Sequence, residues 1–321
     1  MKYTDNAINI LTTMTFKGIG KAWIVKNWGT KCPDVDSILS KLNSANKGES
    51  RITKDIFAEK KEQILNILYK NETFIDGVIG LGDANFPQHR GVVKNSERPV
   101  FLFYKGDISL LQKTNYNITV IGLLTPDVEI ESIERTIVSK LVENNITIVS
   151  GLALGCDSIA HIETISCQGK TIAILPSPLS GILPASNRSL ADMIVNTGGL
   201  LVSEYLTDAK SKNMLSSRYQ ERDRLQALFS DGIILSASYA KNNLGNDSGS
   251  RLAMQYAKDY MIRRAVIYDE QFADNPMFDL NRQYIKEDSS VLIINKTNYS
   301  DKIDKWNTHR SVCSQSTLFD L

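Results

Sequence analysis

The stretch "ITIVSGLALGCDSIAHIETI", residues 146–165, carries the reading of the fold. Strand-like residues run into a loop holding Gly151 and Gly155, and a helical pattern opens at Cys156. Strand, glycine loop and helix in that order make the first half of a βαβ unit. Such glycines let backbone N–H groups turn toward an anion, and the helix N-terminus adds about half a positive charge. Ser150, Gly151 and Gly155 are therefore candidate phosphate-binding positions. Cys156, Asp157 and His161 are also the residue types of a thiol active site. One short helix carries all three, which disfavours an imidazole meeting the thiol in line, and no second glycine-amide motif offers an oxyanion hole. Asp157 reads better as a helix-start cap, with His161 one turn later on the same side. Backbone recognition of a phosphate is the preferred function of the loop.

The pattern around this unit repeats. "VFLFYKG", "ITVIGLL", "TIAILPS", "GLLVSEY", "GIILSAS", "AVIYDE" and "VLIIN" read as further strands. Helical stretches such as "DVEIESIERTIVSKLVENN" and "NRSLADMIVNTG" lie between most of them. Apolar strands alternating with amphipathic helices predict a doubly wound, mostly parallel, Rossmann-like α/β domain over residues 76–295. Residues 1–75 lack β-branched runs and read as a small helical module. "ILTTMTFKGIGKAWIVKNW" breaks two apolar-periodic segments at Gly18 and Gly20, and 12 Lys and Arg stand against 8 Asp and Glu between Met1 and Glu72. A GIG turn between short helices is similar to a helix-hairpin-helix hairpin, whose amides meet a DNA phosphate; it is equally the tight turn of a packing module. Residues 296–321 are polar and read as a flexible tail.

Bulk composition excludes several classes. With 42% apolar and 23% charged residues and a net charge of +1, the chain is an ordinary globular protein without a strong field for nucleic acid. No apolar run approaches the ~20 residues of a membrane span, and no signal architecture opens the chain, so a cytoplasmic protein is expected. Cys32, Cys156, Cys167 and Cys313 form no CxxC pair, and His89, His161 and His309 lie far apart. Free thiols and no metal or other cofactor are the expectation. "GKT" at Gly169–Thr171 is not a P-loop, because the required earlier glycine is Thr164 and a strand, not a helix, follows.

Two further stretches carry anion-binding chemistry. "SSRYQERDRLQALFSDGIILS" places Arg218, Arg222 and Arg224 just before a strand, where guanidinium groups could fork onto phosphates. The same arginines also fit a solvated helix face paired with Glu221 and Asp223. "NDSGSRLAMQYA" sets Ser248, Gly249, Ser250 and Arg251 before a helix, a second small-residue loop at a helix N-terminus.

Taken in order, these motifs resemble the DprA/Smf family of DNA-processing proteins. The family's "SGxAxGIDxxAH" stands here as "SGLALGCDSIAH", "YPxxNxxL" as "LPASNRSL", "GxLLSEYP" as "GLLVSEYL", "FPxRNRIIAGLSD" as "YQERDRLQALFSD" and "SGSLxTAxxA" as "SGSRLAMQYA". Its lead-in, "YPxxLxxxxDPPxVLFYKGD", is similar to "LGDANFPQHRGVVKNSERPVFLFYKGD". The resemblance implies a non-enzymatic, usually dimeric protein that binds single-stranded DNA in a basic pocket and loads a RecA-type recombinase. The implied backbone contacts are Ser150, Gly151, Asn187, Arg188, Arg222, Arg224 and Ser248 to Ser250. Three departures stand out: the family's "VGSR" is "IGLLTPD", with Leu123 and Leu124 in place of Ser and Arg; "RNR" is "RDR" through Asp223; and no stretch of this sequence is expected to form the winged-helix domain of many members.

"QSTLFDL", residues 315–321, resembles a sliding-clamp-binding peptide through Gln315, Leu318 and Phe319, a pattern short enough to arise by chance. The competing class is a nucleotide-binding sensor or nucleotide-processing enzyme of related Rossmann-like type, in a mobile-element or defence setting. Its "PGGxGT" loop would fall on "NDSGSR", which lacks the double glycine.

Overall fold

The computed structural model describes residues 3–29, 33–46, 50–241 and 249–306. Four helices come first: α1 (Asp5–Thr13), α2 (Lys21–Trp28), α3 (Val35–Ala45) and α4 (Lys54–Lys70). Thr4, Asp34 and Thr53 start α1, α3 and α4 by accepting backbone N–H groups of the first turn. Ile10, Ile24, Trp28, Ile38, Leu42 and Phe57 form their shared apolar core.

Strands and helices then alternate: β1 (Gly77–Gly80), β2 (Phe101–Gly106), β3 (Asn117–Ile121), α5 (Val128–Glu143), β4 (Thr147–Ser150), α6 (Cys156–Ser166), β5 (Thr171–Leu175), α7 (Arg188–Asn196), β6 (Leu200–Ser203), α8 (Lys212–Leu228), β7 (Gly232–Leu235), α9 (Ser250–Asp259), β8 (Arg263–Ile267), α10 (Asp279–Glu287) and β9 (Leu292–Ile294). They build one sheet in the order β1-β2-β6-β5-β4-β3-β7-β8-β9. From β6 to β9 every pairing is parallel. β2 runs antiparallel to β6, and β1 antiparallel to β2. Every run read as a strand from sequence is one. The short strand β1, "GVIG", was not foreseen, because four residues containing two glycines give no propensity signal.

The helical module is not separate from the sheet. Helix α1 lies against β1, and a Cβ at Gly80 would collide with Ala7 and Ile10. The C-terminal boundary also shifts. Residues 299–306 are helical, and Ile303 and Trp306 join the main core. The Trp306 indole occupies the space a side chain at Gly232 would need. The first part of the expected tail is thus helical and packed on the core; residues 307–321, with Gln315, Leu318 and Phe319, lie outside the described residues, as does Ser248. No helix among the described residues is long and apolar enough to cross a membrane.

Helices α5, α6 and α7 pack side by side on one face, and α8 and α9 on the other. The winding reverses between β3 and β7, which are neighbours in the sheet. That switch point opens a crevice at the carboxyl ends of the strands, where ligands of such sheets bind.

Candidate nucleic-acid interface

The loop between β4 and α6 is held by its own side chains. Ser150 is fully buried and its hydroxyl donates to the Val120 carbonyl at 2.7 Å. The Asp157 carboxylate accepts from the backbone N–H of Gly151 at 3.1 Å and of Ala153 at 3.2 Å. Asn187 donates to the carbonyls of Leu152 and Ala153 and to the Ser158 hydroxyl. Gly155 has φ +71°, and a Cβ there would strike the Leu123 and Leu124 carbonyls. The anion in this glycine loop is therefore Asp157 itself. Ser150 and Gly151 thus spend their hydroxyl and amide within the fold, Gly155 allows the close approach of the Leu123 and Leu124 carbonyls, and Asn187 is a pin for the loop.

Gly151 has a different purpose. A side chain there would overlap the guanidinium of Arg222, which lies flat on the loop. Arg222 is 6% exposed and sits between two carboxylates, Asp157 at 3.6 Å and Asp223 at 3.3 Å. With its amide oriented to satisfy both neighbours, Gln226 accepts from Arg222 Nη1 at 3.0 Å and from Gly151 N at 2.9 Å. Burial beside Asp157 outweighs the Arg222 charge and pushes the Asp223 carboxyl up to about 7.

Helical geometry separates the arginines that sequence grouped together. Arg222 and Arg224 stand about 200° apart around α8. Arg224, 2% exposed, makes a two-pronged contact with the Glu204 carboxylate at 2.7 and 2.9 Å. Lys21, at the start of α2, adds ion pairs to Glu204 at 3.1 Å and Glu221 at 2.9 Å. Arg224 thus spends its charge on Glu204, the carboxylate through which Lys21 ties the helical module to the sheet domain. The turn through Gly18 and Gly20 leads straight into this lock, which favours its packing role. Arg218 donates to the Thr207 carbonyl at 2.7 Å and lies over the Tyr205 ring at 4.2 Å. Ser250 is buried and donates to the Gly122 carbonyl at 3.1 Å; Arg251 is half-buried at the start of α9 near Tyr284. Arg188, by contrast, is exposed at the first turn of α7.

What these elements enclose is a pocket of about 380 Å³ at the switch point. Asp157, Arg222, Asp223 and Gln226 form its polar wall; Leu124, Leu154, Pro184 and Tyr219 form its apolar wall, and Gly249 and Ser250 its rim. A single cation with two carboxylates does not make a basic groove.

Below the pocket, the apparent Cys-Asp-His trio comes apart. Cys156 is fully buried against Gly122, and burial pushes its thiol up, away from the reactive thiolate. His161 Nδ1 meets the Thr171 hydroxyl at 2.6 Å; that hydroxyl donates to the Ile148 carbonyl, so Nδ1 carries the hydrogen. Burial and the nearby Arg222 charge press His161 down to about 3, a neutral ring. Sequence reading missed Glu134, Tyr219 and Gln226. Glu134 is wholly buried beside Cys156 and Ser236, and burial raises it to about 8. A signal was present: it interrupts the apolar face of Ile130, Ile133, Ile137, Val138 and Leu141.

A doubly wound sheet with a pocket at the switch point defines the class as a Rossmann-like α/β protein. The sequence model of DNA recombination-mediator protein A matches residues 77–304, and the chain belongs to that family. Protein Smf of Borreliella burgdorferi is 25% identical over 247 residues, covering 75% of this chain and 73% of that protein. DNA processing protein DprA of Streptococcus pneumoniae is 33% identical over 164 residues, 51% of this chain and 55% of its own length. The alignment with that protein thus spans only about half of each. The crystal structure of the pneumococcal protein superposes with a TM-score of 0.66 at 23% identity, over 92% of this chain and 95% of that one. A structure concerned with the single-stranded DNA binding mode of the Helicobacter pylori protein has a TM-score of 0.55 at 24% identity, over 70% of this chain and 98% of that one.

Proposed function

We propose that this protein binds single-stranded DNA at the switch-point pocket and presents it to a RecA-type recombinase. The observation that carries the reading is the family match, which spans every residue of the pocket. The relative from H. pylori, described by its single-stranded DNA binding mode, supports the same ligand. The pocket suits a base more than a phosphate. Its volume lies in the range of small-ligand sites, ~300–1,000 Å³, Tyr219 offers a stacking face, and its one cation is already neutralised. Phosphate contact falls to exposed cations outside the pocket, with Arg188, at the start of α7, the candidate the sequence motifs single out.

Fluorescence anisotropy with labelled oligonucleotides over a salt series tests this. Tyr219→Ala is expected to weaken binding by about 1–3 kcal/mol. Arg188→Ala is expected to flatten the slope of log affinity against log salt by about 0.7. No binding of oligonucleotides, together with a thermal shift by mononucleotides alone, would replace this reading with the nucleotide-sensor one.

A further inference from the structure

Asp223 differs from the other charged groups around the pocket. It is 5% exposed, yet no backbone or side-chain group donates a hydrogen bond to it among the described residues. Among the described residues its one ion pair is with Arg222 Nε, 3.3 Å from Oδ1. The second oxygen turns toward the rim, where a methyl group on Gly249 would come within 3.1 Å of it. Asp157, by comparison, is consumed by the Gly151 and Ala153 amides. A buried carboxylate with open acceptor positions, lining a cavity with one aromatic and several apolar walls, asks for a flat ligand with paired N–H donors.

Among the four DNA bases, guanine alone presents two parallel donors, N1–H and the N2 amino group, to match two carboxylate oxygens. Cytosine and adenine present an amino group beside a ring acceptor, and thymine one N–H between two carbonyls, so each sets a repelling lone pair against the carboxylate. Resting on the DNA-binding reading above, we infer that the switch-point pocket is a guanine-selective base site, with Asp223 receiving the Watson–Crick edge and Tyr219 flanking the ring. Arg222 acts here as a positioning residue that holds Asp157 and Asp223 apart.

The test compares full-chain binding to a thymine oligonucleotide with binding to the same oligonucleotide carrying guanine at every fourth position. Guanine is expected to tighten binding about tenfold, and Asp223→Asn is expected to reduce that gap below about twofold. Replacing guanine by inosine, which lacks the N2 amino group, removes one donor without touching the protein and is expected to forfeit most of the gain. Equal affinity for both oligonucleotides, a guanine preference that survives Asp223→Asn, or inosine binding as tightly as guanine would overturn the inference and leave DNA binding standing. Failure to bind either oligonucleotide would overturn both.

Discussion

Glu134 shows how much one side chain under the pocket weighs on the whole protein. Its carboxyl titrates near 4.5 in an unfolded chain and is raised to about 8 by burial in the fold. Between those values the folded protein holds a proton that the unfolded chain has released, so stability falls as pH rises from about 4.5 to about 8. Asp223, raised to about 7, adds a drop of the same sign over a narrower window. Burial, helped by the Asp157 charge, outweighs Arg222 at Asp223 and Cys156, Ser236 and Arg135 at Glu134. Glu134→Gln keeps the shape and removes the ionisation. Thermal denaturation is expected to show an unchanged midpoint at pH 5 and a rise of about 2–8 °C at pH 8, where the wild-type carboxyl is strained toward its charged form. A midpoint at pH 8 equal to that of the wild type would refute this account. At the same scale, Gly151 illustrates what a motif hides. Its glycine was legible as a need for space, but the occupant of that space is a guanidinium from α8, not a phosphate.

At the scale of elements, α8 matters most, because its two faces do different work. Tyr219, Arg222, Asp223 and Gln226 line the pocket, while Glu221 and Arg224 tie the sheet domain to α2 through Glu204 and Lys21. Removing one partner of a buried pair strands the other. Arg224→Ala is therefore expected to destabilise the protein by roughly 3–5 kcal/mol, read as a lower midpoint in urea. Its DNA affinity per folded molecule is expected to stay within about twofold of wild type. A specific loss of affinity at unchanged stability would return Arg224 to the binding surface. The strands of the parallel sheet were readable because long apolar runs between amphipathic helices are a local signal. The antiparallel β1 and the two faces of α8 were not, since the first is a four-residue strand made by its neighbours and the second depends on which direction each partner approaches.

For the whole molecule, closure of the sheet domain depends on the helical segment 299–306. Ile303 and Trp306 complete the core beneath β7, and Gly232 leaves the room they need. Trp306→Ala is expected to cost about 3–5 kcal/mol and to lower the thermal midpoint accordingly; an unchanged midpoint would mean that the segment from 299 onward is dispensable. The net charge of +1 was informative at this scale too, since the pocket, like the chain, is close to electrically balanced. The sequence by itself determined the doubly wound sheet, the loops at its strand ends and the family, because periodicity, glycine spacing and ordered motifs are properties of contiguous residues. Only the tertiary structure decided which of those polar residues face the ligand. Asp157 and Arg222 are 65 positions apart, and whether they neutralise one another or reach for DNA depends on the sheet bringing α6 and α8 to the same crevice.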